Sequence, residues 1–416
     1  MNDGLFLVGL LGLGVVVAIP ARRLEIPYTV ALVAAGLVVG ALHPPTAPWL
    51  SRELLYLIFL PGLIYAAAQH LDVPTLRQNK RAVLLLAVPG LVAAAAMTSA
   101  AIALCAPLAG MGSPRWIAGI LFGTLISATD PTAVAALFGA LGLPKRILTI
   151  VEGESLLNDA VAIVLFTMAL EVATGSSFTV GRAVLEFIRV ASIGALVGVA
   201  IAGLVVWIGG YVSDAVSRVA LTTVAAYGSF LLAERFHASG VMASLVAGVL
   251  STHSRLVGLR GSAERMVVES CWDYAIFALN SLVFLLVGFQ SVQLGELFRL
   301  VVPIVVAFFV VTVTRALVVV AVSRSLRRSS EAMPTSWTWV LAWSGLRGPL
   351  SMVLVLDLPE SLPERHVLVD ITSGVVVLSI LLQGSTMTPL LRRLGIVEPR
   401  KPADRTGLRI ARRRPA

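Results

Sequence analysis

The sequence is a succession of apolar stretches, each about as long as a helix must be to cross a lipid bilayer. Of its 416 residues, 57% are hydrophobic and only 13% are charged, which leaves too little polar surface for a soluble domain. A soluble enzyme, a nucleic-acid-binding protein and a disordered scaffold are therefore excluded, although the formal net charge is +9. The composition predicts an all-α, polytopic membrane protein.

Charged and Pro- or Gly-rich breaks divide the chain into about thirteen candidate transmembrane helices with short connections. The first stretch has neither a basic start nor a small-residue cleavage site, which indicates a retained helix and not a signal peptide. The two cysteines lie far apart and no metal-ligating motif is present, so we expect neither a disulfide nor a cofactor. The predicted spans are 4–21, 27–42, 54–70, 81–108, 115–139, 147–170, 183–212, 217–234, 238–252, 265–290, 296–323, 335–357 and 366–391.

Basic residues alternate between the two sides of the predicted membrane. Loops after odd-numbered spans carry fourteen Lys or Arg residues before the C-terminal tail, whereas loops after even-numbered spans carry six. Because basic loops stay in the cytoplasm, this bias predicts a multi-pass protein of the plasma membrane with its N-terminus outside and its C-terminus in the cytoplasm. The basic tail, residues 396–416, is predicted to contact anionic lipid at the cytoplasmic face, with a regulatory segment as the alternative.

The fifth span is interrupted near its middle by residues 127–131, Ser-Ala-Thr-Asp-Pro. Proline removes a backbone N–H and clashes with the preceding turn, so amides and carbonyls near the bilayer centre lose their helical partners. Discontinuous helices of this kind present bare backbone groups to ions in transporters. The break, with Thr129 and Asp130, therefore predicts a functional site, and a plain proline kink is the alternative.

The sixth span carries three carboxylates, Glu152, Glu154 and Asp159, within eight residues. At 1.5 Å per residue, Asp159 lies about 18 Å inside the span, which is close to mid-bilayer. Helical spacing puts Ser155 on the same face as Asp159, while Glu154 and Asn158 share a neighbouring face. Because carboxylates inside a membrane need a function or a partner, one face is predicted to bind a cation and the other to brace the fold. A carboxylate kept neutral or paired for structure is the alternative.

The twelfth span holds Arg347 in a Gly- and Pro-broken segment. A buried guanidinium needs a carboxylate partner, and Glu154 and Asp130 are the candidates; an anion site and a gating role are the alternatives. The fifth and twelfth spans are seven apart in order and therefore cross the membrane in opposite directions. This relation predicts two inverted six-helix repeats, spans one to six and eight to thirteen, with discontinuous helices that cross at the site.

Several segments resemble the NhaP/NHE branch of the cation:proton antiporters, also called the monovalent cation:proton antiporter 1 branch. They are residues 128–134, 143–146, 152–162 and 345–348, supported by 231–234, 239–241, 279–288 and 383–384. The resemblance implies the sodium/proton antiporter fold over residues 1–395, with a core bundle of roughly 81–170 and 296–391 and a dimerisation bundle made of the remaining helices. It also implies a homodimer that works by alternating access and is not an enzyme.

The resemblance assigns roles to seven polar residues. Three form the ion site, in which Asp159 binds Na⁺ or a proton and its partners help to coordinate the cation: Asp159, Ser155 and Thr129. Four further residues support that site. Asn158 and Asp130 are expected to hold the crossing together, and Glu154 and Arg347 are expected to form an ion pair.

The third span departs from the family pattern, because Ala66 stands where related bacterial members carry a glutamate. Gln69 and His70 are candidate substitutes for the lost carboxylate. The hypothesis is electroneutral exchange of one Na⁺ or Li⁺ for one proton, because both ions compete for one carboxylate. A potassium/proton antiporter or a non-transporting pH-sensing relative is the alternative. An intramembrane aspartyl protease and a passive channel fit the motifs less well.

Overall fold

The computed structural model describes residues 3–23, 27–42, 55–105, 115–175, 180–212, 214–253, 262–290 and 294–397, and every regular element among them is a helix. The basic tail beyond residue 397 lies outside the described residues. The α-helices are α1 Asp3–Arg23, α2 Tyr28–Leu42, α3 Leu60–His70, α4 Val73–Gln78, α5 Lys80–Leu85, α6 Leu91–Cys105, α7 Trp116–Leu125, α8 Thr132–Ala140, α9 Lys145–Ala173, α10 Val180–Gly209, α11 Ala215–Thr223, α12 Ser229–Arg235, α13 Gly240–His253, α14 Ser262–Gln290, α15 Leu294–Ser325, α16 Thr335–Trp343, α17 Pro349–Leu356, α18 Arg365–Ser379 and α19 Ser385–Arg393. Four π-helical turns extend or join them: Leu55–Phe59, Leu86–Gly90, Val224–Gly228 and Ile380–Gly384.

Helices occupy every stretch that the sequence predicts to cross the membrane, which confirms an all-α membrane fold. Large apolar side chains such as Leu196 and Val302 are exposed on these helices, on surfaces that a bilayer would cover. The count of thirteen spans and the division into two bundles stay predictions. Among the described residues, seven helical segments are long and apolar enough to cross a membrane: Lys80–Cys105, Lys145–Ala173, Val184–Gly209, Ala215–Arg235, Met266–Phe289, Leu300–Ser325 and Arg365–Arg393.

Helices α2 and α14 pack unusually closely because glycines face each other across their contact. A Cβ on Gly36 would overlap the carbonyl of Leu285, and a Cβ on Gly288 would overlap the carbonyl of Val33. Small residues let two helix backbones approach in a membrane, where van der Waals packing drives helix association. This contact fixes the position of α14, which forms one wall of the site described below.

Two broken helices cross, as the sequence predicts. The first consists of α7 and α8 with residues 126–131 between them, and the second of α16 and α17 with residues 344–348 between them. The Asp130 amide donates a hydrogen bond to the Leu346 carbonyl at 2.8 Å, so one break is bonded to the other. At the crossing a Cβ on Gly348 would overlap the Asp130 side chain, and only glycine leaves room there.

Candidate ion-binding site

A cavity of about 60 Å³ lies beside the helix crossing, with room for a small ion and a few water molecules. Its walls come from α3, the α7–α8 break, α9, α14 and the start of α17. The structure therefore brings together four of the predicted site residues and two polar residues that were not predicted to belong to the site. The polar residues that line the cavity are Thr129, Asp130, Thr132, Ser155, Asp159 and Asn280.

Asp159 is the acid of this cavity that has no protein partner. It is the fifteenth of the 29 residues of α9, so it lies at the middle of a helix about 43 Å long. Its side chain is half-buried and lines the cavity. In the described part of the chain the carboxylate makes no hydrogen bond and no ion pair. A carboxylate in this position has all of its lone pairs available to a proton or a cation.

Hydrogen bonds attach the break of the first broken helix to α9. The Ser155 hydroxyl donates to the carbonyl of Thr129, and the Asn158 side-chain amide donates to the Thr129 hydroxyl at 2.7 Å. Ser155 and Asn158 are both buried, and they lie four and one residues before Asp159 on the same helix. These contacts fix Thr129 next to Asp159, which is the bracing arrangement expected for Asn158.

Asp130 and Arg347 satisfy backbone groups that the break between α7 and α8 leaves bare. Asp130 accepts hydrogen bonds from the amide and the hydroxyl of Thr132, at 2.9 and 2.7 Å, at the start of α8. The Arg347 guanidinium donates to the carbonyls of Ser127 and Ala128, at 2.7 and 3.2 Å, just after α7 ends. A negative group at a helix N-terminus and a positive group at a C-terminus both oppose the helix dipole. The two charges therefore stabilise the discontinuous helix.

The expected ion pair between Glu154 and Arg347 is wrong, because Glu154 pairs with Arg315. Two nitrogens of the Arg315 guanidinium donate to the two carboxylate oxygens, the second at 2.9 Å, and both side chains are buried. Arg347 uses its guanidinium on the carbonyls of the break instead. Arg315 was not predicted as a partner of Glu154, because it lies in an uninterrupted apolar stretch. The sequence feature that could have identified it is an arginine inside a predicted span, which requires a partner in the membrane.

Asn280 is, with Thr132, one of the two polar residues of the cavity that were not predicted to belong to the site. It lies on α14, a different helix from the one that carries Asp159, and is 8% exposed. Its side-chain oxygen is buried and has no hydrogen-bond partner among the described residues. The available signal was a polar amide in the middle of an apolar span, which the sequence shows but does not place near Asp159.

The family follows from the sequence as a whole. Residues 9–393 match the family described as "Sodium/hydrogen exchanger, transmembrane". The chain belongs to this family. The members of this family are NhaP-type cation:proton antiporters. This exchanger is therefore a multi-pass membrane transporter and not an enzyme.

Individual relatives of this exchanger have similar sequences over most of their length. It is 34% identical to "Na(+)/H(+) antiporter NhaP" of Pseudomonas aeruginosa over 83% of this chain and 82% of the relative. It is 31% identical to "Na(+)/H(+) antiporter NhaH" of Halobacillus dabanensis over 93% and 97%. It is 31% identical to "Na(+)/H(+) antiporter NhaG" of Bacillus atrophaeus over 90% and 72%.

The fold of this exchanger is that of a solved antiporter. The structure of the sodium proton antiporter MjNhaP1 from Methanocaldococcus jannaschii at pH 8 superposes with a TM-score of 0.72 at 20% sequence identity. The superposition covers 94% of this chain and 97% of the solved one. The predicted sodium/proton antiporter fold is therefore confirmed.

The exchanger's third span gives the site an apolar wall. Leu60, Leu63, Ile64 and Ala67 of α3 line the cavity. Ala66 is fully buried on another face of α3 and belongs to a separate apolar cluster. No oxygen from a side chain of α3 therefore faces Asp159 among the described residues.

The two candidate substitutes for the lost glutamate lie elsewhere. Neither Gln69 nor His70 lines the cavity. His70 lies at the exposed end of α3, where its Nδ1 is 2.9 Å from the Ala66 carbonyl and its Nε2 is 3.7 Å from Asp273. Compensation by Gln69 or His70 finds no support in this arrangement.

Proposed function

We propose that this protein exchanges Na⁺, or Li⁺, for H⁺ across the membrane, with Asp159 as the group that binds either ion. One observation carries the proposal: the Asp159 carboxylate, at the middle of a membrane-spanning helix, has no partner among the described residues and lines a small cavity. The names of the relatives support Na⁺ as the cation, because all three are Na⁺/H⁺ antiporters. Ser155 and Thr129 are the proposed additional ligands of the cation.

The stoichiometry that we propose is one cation for one proton. Of the other two acids near the crossing, Asp130 accepts two hydrogen bonds from Thr132 and Glu154 is paired with Arg315. Asp159 is then the single group that takes up and releases ions. Because Asp159 with a proton and Asp159 with Na⁺ have the same net charge, the loaded protein moves no net charge in either direction of exchange, and transport is electroneutral.

Alternating access in a homodimer completes the proposal. A small cavity beside crossed, broken helices suits a carrier that exposes one ion at a time to either side of the membrane. We place the protein in the plasma membrane with its N-terminus outside and its C-terminus in the cytoplasm, where the basic tail contacts anionic lipid. The physiological role would be homeostasis of pH and sodium.

Potassium/proton exchange is the second candidate function. The apolar α3 wall favours it, because a site with fewer oxygen ligands replaces less of the hydration shell that a small cation must lose. A non-transporting, pH-sensing relative is distinguished by the absence of flux with every cation.

The test is proton flux in proteoliposomes that contain a pH dye and carry an imposed Na⁺, Li⁺ or K⁺ gradient. We expect Na⁺-driven proton flux that is unchanged when the membrane potential is clamped, and that disappears in Asp159→Asn. The matched control is Asp214→Asn, which removes a carboxylate that caps α11 through the Ser217 amide, far from the cavity in sequence and outside its lining. Cation-dependent proton flux that persists in Asp159→Asn would refute the proposal.

A further inference from the structure

Asn280 is a buried polar side chain without a protein partner, on the wall of the cavity that Asp159 lines. It is 8% exposed, and its Oδ1 has no hydrogen-bond partner among the described residues. A buried amide that bonds to nothing in the protein has lost its bonds to water without replacement. A water, an ion or a ligand can complete such a group, and among the described residues Asn280 is the only residue of the cavity lining with an unsatisfied buried atom of this kind.

Apart from Asp159, the other polar residues that line the cavity each already make a hydrogen bond within the protein. The Ser155 hydroxyl donates to Thr129, and the Thr129 hydroxyl accepts from Asn158. Asp130 accepts from Thr132. A cation that leaves water needs oxygen atoms to replace its hydration shell, and Asp159 alone provides two. Asn280 adds an oxygen that accepts no hydrogen bond among the described residues, and it lies on a different helix from these contacts.

Helix α14 holds Asn280 in a fixed position. Its close contact with α2 at Gly36 and Gly288 leaves no room for sliding, and the neighbouring Ser281 is hydrogen-bonded to Tyr28 of α2. Tyr28 also stacks on Phe277 of α14, with ring centroids 5.3 Å apart. An oxygen on a rigid support selects among cations by size better than one on a mobile loop does.

We propose that the side-chain oxygen of Asn280 is a ligand of the transported cation, on a wall of the cavity formed by a different helix from that of Asp159. The inference rests on the proposed function, because it assigns a further ligand to the same site. Asn280 supplies an oxygen where α3 supplies only apolar side chains. Because an amide oxygen is neutral, it binds the cation without adding a second titrating group. One Na⁺ and one proton still compete for Asp159.

The test compares Asn280→Leu with wild type in proteoliposomes, with the KM measured for Na⁺, Li⁺ and K⁺ separately at alkaline pH. Leucine has nearly the same size and no oxygen. We expect the KM for Na⁺ to rise about tenfold or more, as for the loss of one strong ligand, and the preference among the three cations to change. The maximal rate at saturating cation should change much less. A purely structural role for Asn280 would lower the amount of folded protein and leave the cation preference unchanged.

Two further variants keep the test decisive. Ser244→Ala removes a buried hydroxyl of α13 that does not line the cavity, and it should leave the KM and the cation preference as in wild type. Asn280→Asp keeps an oxygen at the same distance from the backbone, and its KM for Na⁺ should not exceed that of wild type. If Asn280→Leu fails to insert, a KM in Asn280→Asp that is raised tenfold overturns the proposal.

The failure of this inference is distinguishable from the failure of the proposed function. If wild type exchanges Na⁺ for protons through Asp159 and Asn280→Leu keeps the wild-type KM and cation preference, only the role of Asn280 is refuted. If Asp159→Asn still exchanges ions, the proposed function itself is wrong, whatever the Asn280 variants show.

Discussion

The Glu154 carboxylate accepts two hydrogen bonds from the Arg315 guanidinium and thereby joins α9 to α15. The pair lies five residues, or about 7.5 Å along the helix, from Asp159. Both side chains are buried, at 2% and 8% exposure. Removal of one partner leaves the other charge uncompensated, which typically costs about 3–5 kcal/mol. The pair therefore holds α9, the helix that carries Asp159, in place.

We expect Arg315→Gln and Glu154→Gln each to lower the free energy of unfolding by about 3–5 kcal/mol, measured by thermal or denaturant unfolding of the purified protein. The double variant should lose clearly less than the sum of the two, because no charge is then left alone. Arg347→Gln is the matched comparison, and Glu154→Gln should not offset its effect, since Arg347 bonds to carbonyls of the break. Coupling of Glu154 to Arg347 and not to Arg315 would contradict this pairing.

The crossing of the broken helices should not tolerate a side chain at Gly348. A Cβ there would overlap the Asp130 side chain, so Gly348→Ala must push the two breaks apart or displace Asp130 from Thr132. We expect loss of exchange and a lower melting temperature, measured by proton flux and by unfolding in detergent. Gly203→Ala is the control, because no atom lies within 4 Å of its added Cβ. Equal behaviour of the two variants would mean that the crossing is not close-packed.

Thr129→Val tests the link between the break and α9. Valine keeps the size of threonine but leaves the buried Asn158 amide without its acceptor, at a cost of about 1–3 kcal/mol. Since Thr129 is also a proposed cation ligand, we expect a higher KM for Na⁺ together with reduced stability. Thr167→Val, at an exposed position of α9, is the control for the replacement of threonine by valine. An unchanged KM in Thr129→Val would remove Thr129 from the ion site.

The proposed competition between Na⁺ and a proton for the Asp159 carboxylate determines how transport should depend on pH. In the pH range where Asp159 holds its proton, the KM for Na⁺ should rise about tenfold for each unit that the pH falls, while the maximal rate stays constant. The measurement is the initial rate of exchange as a function of Na⁺ concentration at several values of pH, with equal pH on both sides. A maximal rate that collapses at constant KM would indicate a separate pH-controlled gate.

The sequence contains the information for the crossing and for the central acid but not for its surroundings. Proline and glycine at residues 131, 348 and 349 break helices wherever those helices pack, so the discontinuous spans and Asp159 could be predicted locally. The partner of Glu154 could not be predicted in this way, because two arginines in distant spans satisfy the same electrostatic requirement. The place of Asn280 in the cavity depends on the packing of α14 against α2, which the sequence alone does not determine.

Proton release on cation binding is the most direct test of the proposal that Na⁺ and a proton compete for Asp159. Purified protein in weakly buffered detergent solution is titrated with NaCl, with choline chloride as the control, and the released protons are counted with a pH dye. The titration is made at a pH where Asp159 is largely protonated. If Na⁺ displaces the proton from Asp159, we expect wild type to release about one proton per Na⁺ bound. Asp159→Asn should release none. Sodium binding without proton release in wild type, or undiminished release in Asp159→Asn, would contradict it.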